Sequence, residues 1–491
     1  MSITFNSIPL TINTPGAFIE FDASRAVKGL QLSPHDVVIL AQKAASGSAT
    51  ANVPVLVRNA NHAITLAGRH SMAAECVRAY KEVDSLTPVW LVPVSDDAGG
   101  TQATGSFVWT GTATEAGELV LYIGGRRVPV AVAVGASAAS LETLALAALA
   151  LVEDLPVTCA ADAAAGVDVT AIHKGSCGNG IRLGVCLQAG ETVPAGITVT
   201  VTQMSGGATD PSFTAAIAAL GEDQYHTVIM GCNGSTGVAA LVTELESRWG
   251  PMRAIEGQAF IAKAESQANL TTLGNSYNSW TLSLVGHELS ALSRTPWEVA
   301  AQAAAISAAQ TQVDPARETS GLPFVSMSAA HRGARFTRAE RDTLLSDGVS
   351  TVKAASDGRM VVERLITTYQ TNGNSIPDIS LKDLYRVRTL AALRYTLRVR
   401  IGTKFARCKL TSDGEPIPAG QPMVSPSIIR SEILALFREW RELGWVENYA
   451  QFERELIVER DGSDPNRVNA IIPPDIINNF LVFAGQIAFG V

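Results

Sequence analysis

The chain has 491 residues, 47% of them hydrophobic and 17% charged, with a formal net charge of −8 at pH 7. That length holds about three domains of roughly 100–200 residues, and the balance of apolar to charged residues excludes a disordered chain. The acidic balance, with no Lys/Arg-rich run at either end, offers phosphate backbones no attraction, so no direct nucleic-acid partner is expected.

The N-terminal MSITFNSIPL lacks the charged-then-apolar layout of a signal peptide, and no apolar run reaches the ~18 residues needed to span a bilayer, so no membrane insertion is expected. Residues 1–30 read as an extended arm: Pro9, Pro15 and Gly16 break any helix, while Ala17 to Phe21 carries strand-forming Phe18, Ile19 and Phe21. Residues 31–95 turn to an α/β pattern, with VVILAQ, VPVLV and WLVPV as strands and Ser71 as cap of the helix MAAECVRAYKEV. Residues 96–203 form a β-rich insertion of low charge, with GELVLYI, RVPVAVAV and GITVTVTQM as strands and one Ala/Leu helix from about Leu141. His173, Cys177 and Cys186 raise the question of zinc, but Cys-x-x-Cys spacing is absent, and no metal or other cofactor is expected. Six dispersed cysteines suit folding in a reducing cytoplasm.

Residues 204–370 alternate strand and helix again, from HTVIMG through LVTELESRW, QAFIAKA, SWTLSLVG and the alanine-rich WEVAAQAAAISAAQ to LPFVSM. Such alternation predicts a middle α/β domain with a largely parallel sheet covered on both faces, shared by 31–95 and 204–370 with the β-rich insertion looping out. Residues 371–491 form a separate α+β unit with helices near 381–401 and 427–443. The second is punctuated by Ser425 as cap, Pro426 at its first position and Gly444 after its end. Its apolar positions Ile429, Ile433, Leu436, Phe437, Trp440 and Leu443 fall on one face, with Arg430, Glu432, Arg438, Glu439 and Glu442 on the other. FERELIVE reads as a strand, DGSDPN as a turn and NFLVFAGQIAFGV as an apolar terminal strand.

Several of these stretches, in chain order, resemble Mu-like tail sheath proteins of contractile bacteriophages: TPGAFIEFDASRAVKGL, then IHKGSCGNGIRL with its Gly175, Gly178 and Asn179, then VDPARETSGLPFVSM with Asp314, Pro315, Ala316 and Arg317. The continuous run from Arg335 to Tyr369 and the terminal IIPPDIINNF complete the resemblance, which is weakest over 96–160. It implies a structural, non-enzymatic subunit with an inner domain built from both chain ends, a middle domain and an outer domain. It also implies that terminal arms add strands to neighbouring subunits, and that the sheath contracts to drive a tube through the bacterial envelope. The partners so implied are further copies of the chain, the tail tube protein, the baseplate and the tail terminator, in a virion tail assembled in the host cytoplasm.

The residues can be asked whether a donated strand makes physical sense. From Phe480 to Val491 both faces are apolar, with Leu481, Phe483, Ile487, Phe489 and Val491 on one and Phe480, Val482, Ala484 and Ala488 on the other. Burying the seven large side chains gains roughly 10–20 kcal/mol, against roughly 12–24 kcal/mol to order twelve backbone positions. Such a strand needs the hydrogen bonds of a pre-formed sheet, in its own domain or in another copy. Charge is also segregated: Arg386, Arg388, Arg394, Arg398, Arg400 and Lys404 lie in a basic stretch, and the acids between Glu432 and Glu459 follow. The basic stretch is expected to face an acidic surface of a neighbouring subunit or of the tube. Hinges are expected at Ala23 to Gln31, around Gly29, and at Asn372 to Pro377, around Gly373. A subtilisin-like hydrolase is the main rival, with His226, His287 and Ser235 as its material, but the Gly-x-Ser-x-Gly elbow is missing. A different self-assembling virion protein is the other.

Overall fold

The computed structural model describes residues 34–418 and 420–489; the arm carrying Phe18, Ile19, Phe21 and Gly29 lies outside the described residues, as does Val491. The described chain forms two compact units, 392–475 and 34–391 with 476–489, divided within the helix Leu384–Lys404.

The larger unit is organised by a nine-stranded sheet. In spatial order its strands are Pro323–Ser328, Arg359–Arg364, Val349–Ala354, Leu282–His287, Gln258–Ala264, Thr227–Met230, Val37–Gln42, Val89–Val94 and Val55–Val57. The six from Val349–Ala354 to Val89–Val94 run parallel, and antiparallel strands close both edges. Val37–Gln42 is buried at every position, as a central strand with helices on both faces must be, which is why VVILAQ is a continuous apolar run. The helix Met72–Val83 starts as read: the Ser71 side chain accepts from Ala74 N at 3.2 Å. Its neighbour Pro296–Val313 opens on a Thr295/Glu298 capping box and is buried without interruption from Pro296 to Ala308. Its small alanines let the two helices approach closely.

The β-rich residues form two antiparallel sheets. One orders Ile197–Ser205, Gln102–Gly111, Gly166–Lys174 and Val157–Asp162; the other Arg126–Val132, Gly117–Ile123 and Leu183–Val185. Phe107 and Trp109 fill the core, and the Trp109 indole N–H donates to the Ala138 carbonyl at 2.9 Å, at the start of the helix Ala138–Ala150. Arg126 reaches from this module to Glu298 and Glu75 on the two central helices.

In the smaller unit the helix Pro426–Glu442 buries Ile433, Leu436, Phe437 and Trp440; Phe437 stacks on Phe452 at 4.0 Å, and Trp440 Nε1 donates to Thr396 Oγ1 at 3.0 Å. Gly444 follows with φ +74°, the left-handed geometry that favours glycine after a helix. Three local expectations are corrected here. Ser425 holds the N-cap position but its hydroxyl makes no capping bond; Asp413 Oδ1 instead accepts from Ser427 N at 2.9 Å. FERE belongs to the helix Tyr449–Glu455, so only Ile457–Arg460 is strand, paired antiparallel with Val468–Ile471. Glu432 is buried rather than on a solvated face, because basic side chains meet it there.

Candidate assembly surfaces

The apolar C-terminal segment is in no helix or strand ladder from Phe480 to Phe489. Phe480, Val482, Phe483, Ile487 and Phe489 are each at least 80% exposed, and Leu481 is 39% exposed. The hairpin of Ile457–Arg460 and Val468–Ile471 is a separate two-stranded sheet, with Ile457 and Ile471 exposed. Asp461 shapes its turn by accepting from Ser463 N and Asp464 N at 2.8 and 2.9 Å.

The basic residues have different surroundings. Arg386 donates to Asn478 Oδ1 at 2.8 Å. Arg388 is only 6% exposed, donates to the His226 carbonyl at 2.6 Å and to Thr227 Oγ1 at 2.8 Å, and is pulled by burial down to about 10, which leaves it charged at neutral pH. Arg394 is half-buried and Arg398 exposed. Arg400 pairs with Glu432 at 3.0 Å and with Glu439, while Lys404 pairs with Glu432. Arg400 and Lys404 thus meet the acidic stretch of their own chain. The Asn372–Pro377 segment is an exposed turn bonded within itself, with Asn372 N donating to the Ile376 carbonyl and Ser375 N to the Asn372 carbonyl, both at 2.9 Å; Gly373 has open space around it.

Of the residues considered for catalysis, His226 and Ser235 lie at opposite ends of one strand. His226 precedes the strand Thr227–Met230, and Ser235 begins the helix after its other end. His226 stacks on His35 with centroids 5.1 Å apart and accepts from Asp36 N at 3.2 Å. His287 is buried, with Nδ1 3.3 Å from the Glu288 carbonyl. His173 is engaged structurally, accepting from Met72 N at 3.0 Å and facing Asp96 Oδ1 at 2.8 Å. No described helix is long and apolar enough to cross a membrane.

Sequence reasoning missed two features. The Arg126–Glu298–Glu75 cluster joins segments far apart in the chain, and no local pattern signals it. Asn478 and Asn479 stand before the apolar tail, where an Asn pair was the available cue.

Comparison with known proteins finds relatives by sequence and by structure. Residues 206–368 match the phage tail sheath protein central domain, and residues 377–490 the phage tail sheath C-terminal domain. The Mu-like prophage FluMu tail sheath protein of Haemophilus influenzae is 37% identical over 489 residues, covering 100% of both chains. Among solved structures, the sheath tail protein of Desulfitobacterium hafniense has 12% identity and a TM-score of 0.49 over 94% of this chain and 100% of that one. The anti-feeding prophage helical sheath in its contracted state has 12% identity and a TM-score of 0.48 over 96% and 98%. With a relative of that identity along its whole length, the chain belongs to the phage tail sheath family, among the Mu-like sheath proteins.

Proposed function

We propose that the chain is the repeating subunit of a contractile sheath that polymerises around a tail tube and shortens to drive that tube through the bacterial envelope. The observation that carries this reading is the C-terminal tail, where Phe480, Phe483, Ile487 and Phe489 are all more than 80% exposed. Contiguous exposure of large apolar side chains marks an interaction site. The hairpin of Ile457–Arg460 and Val468–Ile471 supports the same reading from the acceptor side: two strands alone are marginal in water, and neither has a further ladder partner among the described residues. A tail given to the ribbon of another copy is covered there and extends that ribbon, backbone bonds supplying affinity and alternate side chains specificity.

In this reading the residues 371–491, with the arm of 1–30, form the inner domain, 31–95 with 204–370 the middle one, and 96–203 an outer module. Phe18, Ile19 and Phe21 link subunits at the other end of the chain. The basic stretch meets an acidic tube or neighbour through side chains that reach the surface, among them the half-buried Arg394 and the exposed Arg398. Gly29 and Gly373 mark the hinges. The further partners are the tube protein, the baseplate and the tail terminator; the protein does no catalysis, and it assembles in the host cytoplasm into the virion tail.

Deleting residues 480–491 and examining the product by sedimentation and electron microscopy tests the reading. Soluble, unassembled subunits are expected; helical tubes formed by the deletion variant would overturn it.

A further inference from the structure

Two of the motifs that carry the family resemblance meet in space, at the point where the apolar tail begins. Asp314-Pro315-Ala316-Arg317 closes a turn in which Arg317 N donates to the Asp314 carbonyl at 3.3 Å and Ala316 N to Asp314 Oδ1 at 3.0 Å. Asp and Pro in the first two positions suit such a turn. Ala316 is 3% exposed, and its carbonyl accepts from Asn479 Nδ2 at 2.8 Å. On the other side Arg386 Nη2 donates to Asn478 Oδ1 at 2.8 Å. Arg386 is itself held, donating through Nε to the Tyr385 hydroxyl at 3.2 Å and lying 3.9 Å from Asp383, which Arg364 grips at 2.6 Å.

We propose that the Asp314–Thr319 loop and the first turns of the helix Leu384–Lys404 form a two-sided clamp on Asn478 and Asn479 that fixes where and in which direction the C-terminal tail leaves its subunit. The proposal rests on the reading that this tail joins a neighbouring copy. Consecutive asparagines suit the task, because each short side chain carries an acceptor and a donor: Asn478 uses its oxygen toward one jaw and Asn479 its amide toward the other. Exposure changes at the next residue, Asn479 being half-buried and Phe480 84% exposed. The jaws are neighbours, since Glu318, Thr319, Tyr385 and Arg388 line one cavity of about 10 Å³, the size of a single water.

Holding the base confines the free segment to residues 480–491, a reach of about 40 Å at ~3.3 Å per residue. It also raises the tail's effective concentration at a partner sheet, because that concentration falls steeply as a tether lengthens.

The test uses the full chain with N478A/N479A, with Arg386→Leu opening one jaw as a second variant, and N478D, which keeps the acceptor for Arg386. Thermal unfolding of the unassembled double variant is expected to match the parent, while chymotrypsin cleaves after Phe480 several times faster. The concentration at half-assembly is expected to rise about tenfold, the scale of two ordinary hydrogen bonds, with a smaller rise for Arg386→Leu and parental assembly for N478D. Parental assembly by both N478A/N479A and Arg386→Leu, with none by the 480–491 deletion, would remove the clamp and leave the tail reading standing. Normal assembly by the deletion would remove both.

Discussion

Glu298 offers the sharpest test of how the β-rich module is fastened. Its carboxylate is fully buried and accepts from Arg126 Nη1 at 2.7 Å and Nη2 at 3.0 Å, from Arg78 at 3.1 Å, from Arg294 at 3.3 Å and from Thr295 Oγ1 at 2.8 Å. Burial alone would raise its pKa, but the Arg126 and Arg294 guanidiniums outweigh burial and hold it below the ordinary carboxylate value. Burial drives Glu75 the other way, although Arg126 lies 3.3 Å from it. Glu298→Gln keeps the shape, removes the negative charge and turns an amide N–H₂ toward guanidinium donors. Breaking one partner out of a buried ionic network costs roughly 3–5 kcal/mol. Glu153→Gln, at an exposed bridge to Arg69, is the control and should cost under about 1 kcal/mol. Urea unfolding of unassembled protein, with near-ultraviolet circular dichroism reporting on the packed tryptophans, measures both. A cost for Glu298→Gln no larger than the control's would refute the argument that this cluster fastens the module.

Two further outcomes are expected. Burial pulls His287 to about 4 from its ordinary value near 6.5, so between those limits the unfolded chain takes up the proton and the folded chain does not. This contribution to stability is complete above pH 6.5 and is lost as pH falls toward 4, at about 1.4 kcal/mol per pH unit. His287→Gln should therefore close on the parent over that range in urea titrations; a constant gap would contradict the linkage. Reversing Arg394 and Arg398 to Glu should weaken assembly most at low salt, where surface charges are least screened, while circular dichroism remains parental; unchanged assembly at low and high salt would remove their contact role.

The central architecture was legible because a strand buried on both faces must be apolar throughout. VVILAQ, HTVIMG and QAFIAKA declare themselves this way, and the helices between them imply a parallel sheet. Helix ends were less secure. Ser71 caps as its type predicts, whereas Ser425 stands at the same kind of position while Asp413 supplies the bond. FERE reads as strand from its residues, yet Phe452 is drawn into a helix by stacking on Phe437.

The sequence by itself determined the family, the sheet's parallel core and the apolar character of the tail, since each is written in contiguous residues. Tertiary structure alone decided where the charges go. Periodicity put Glu432 among solvated positions, but Arg400 and Lys404 meet it at a buried site, and Arg388 turned inward to the His226 carbonyl. It also decided that Asn478 and Asn479 meet the Ala316 carbonyl and Arg386. The physical reason is that local pattern encodes which face of an element avoids water, whereas the partner that completes a buried charge or polar group comes from a segment that only folding brings near.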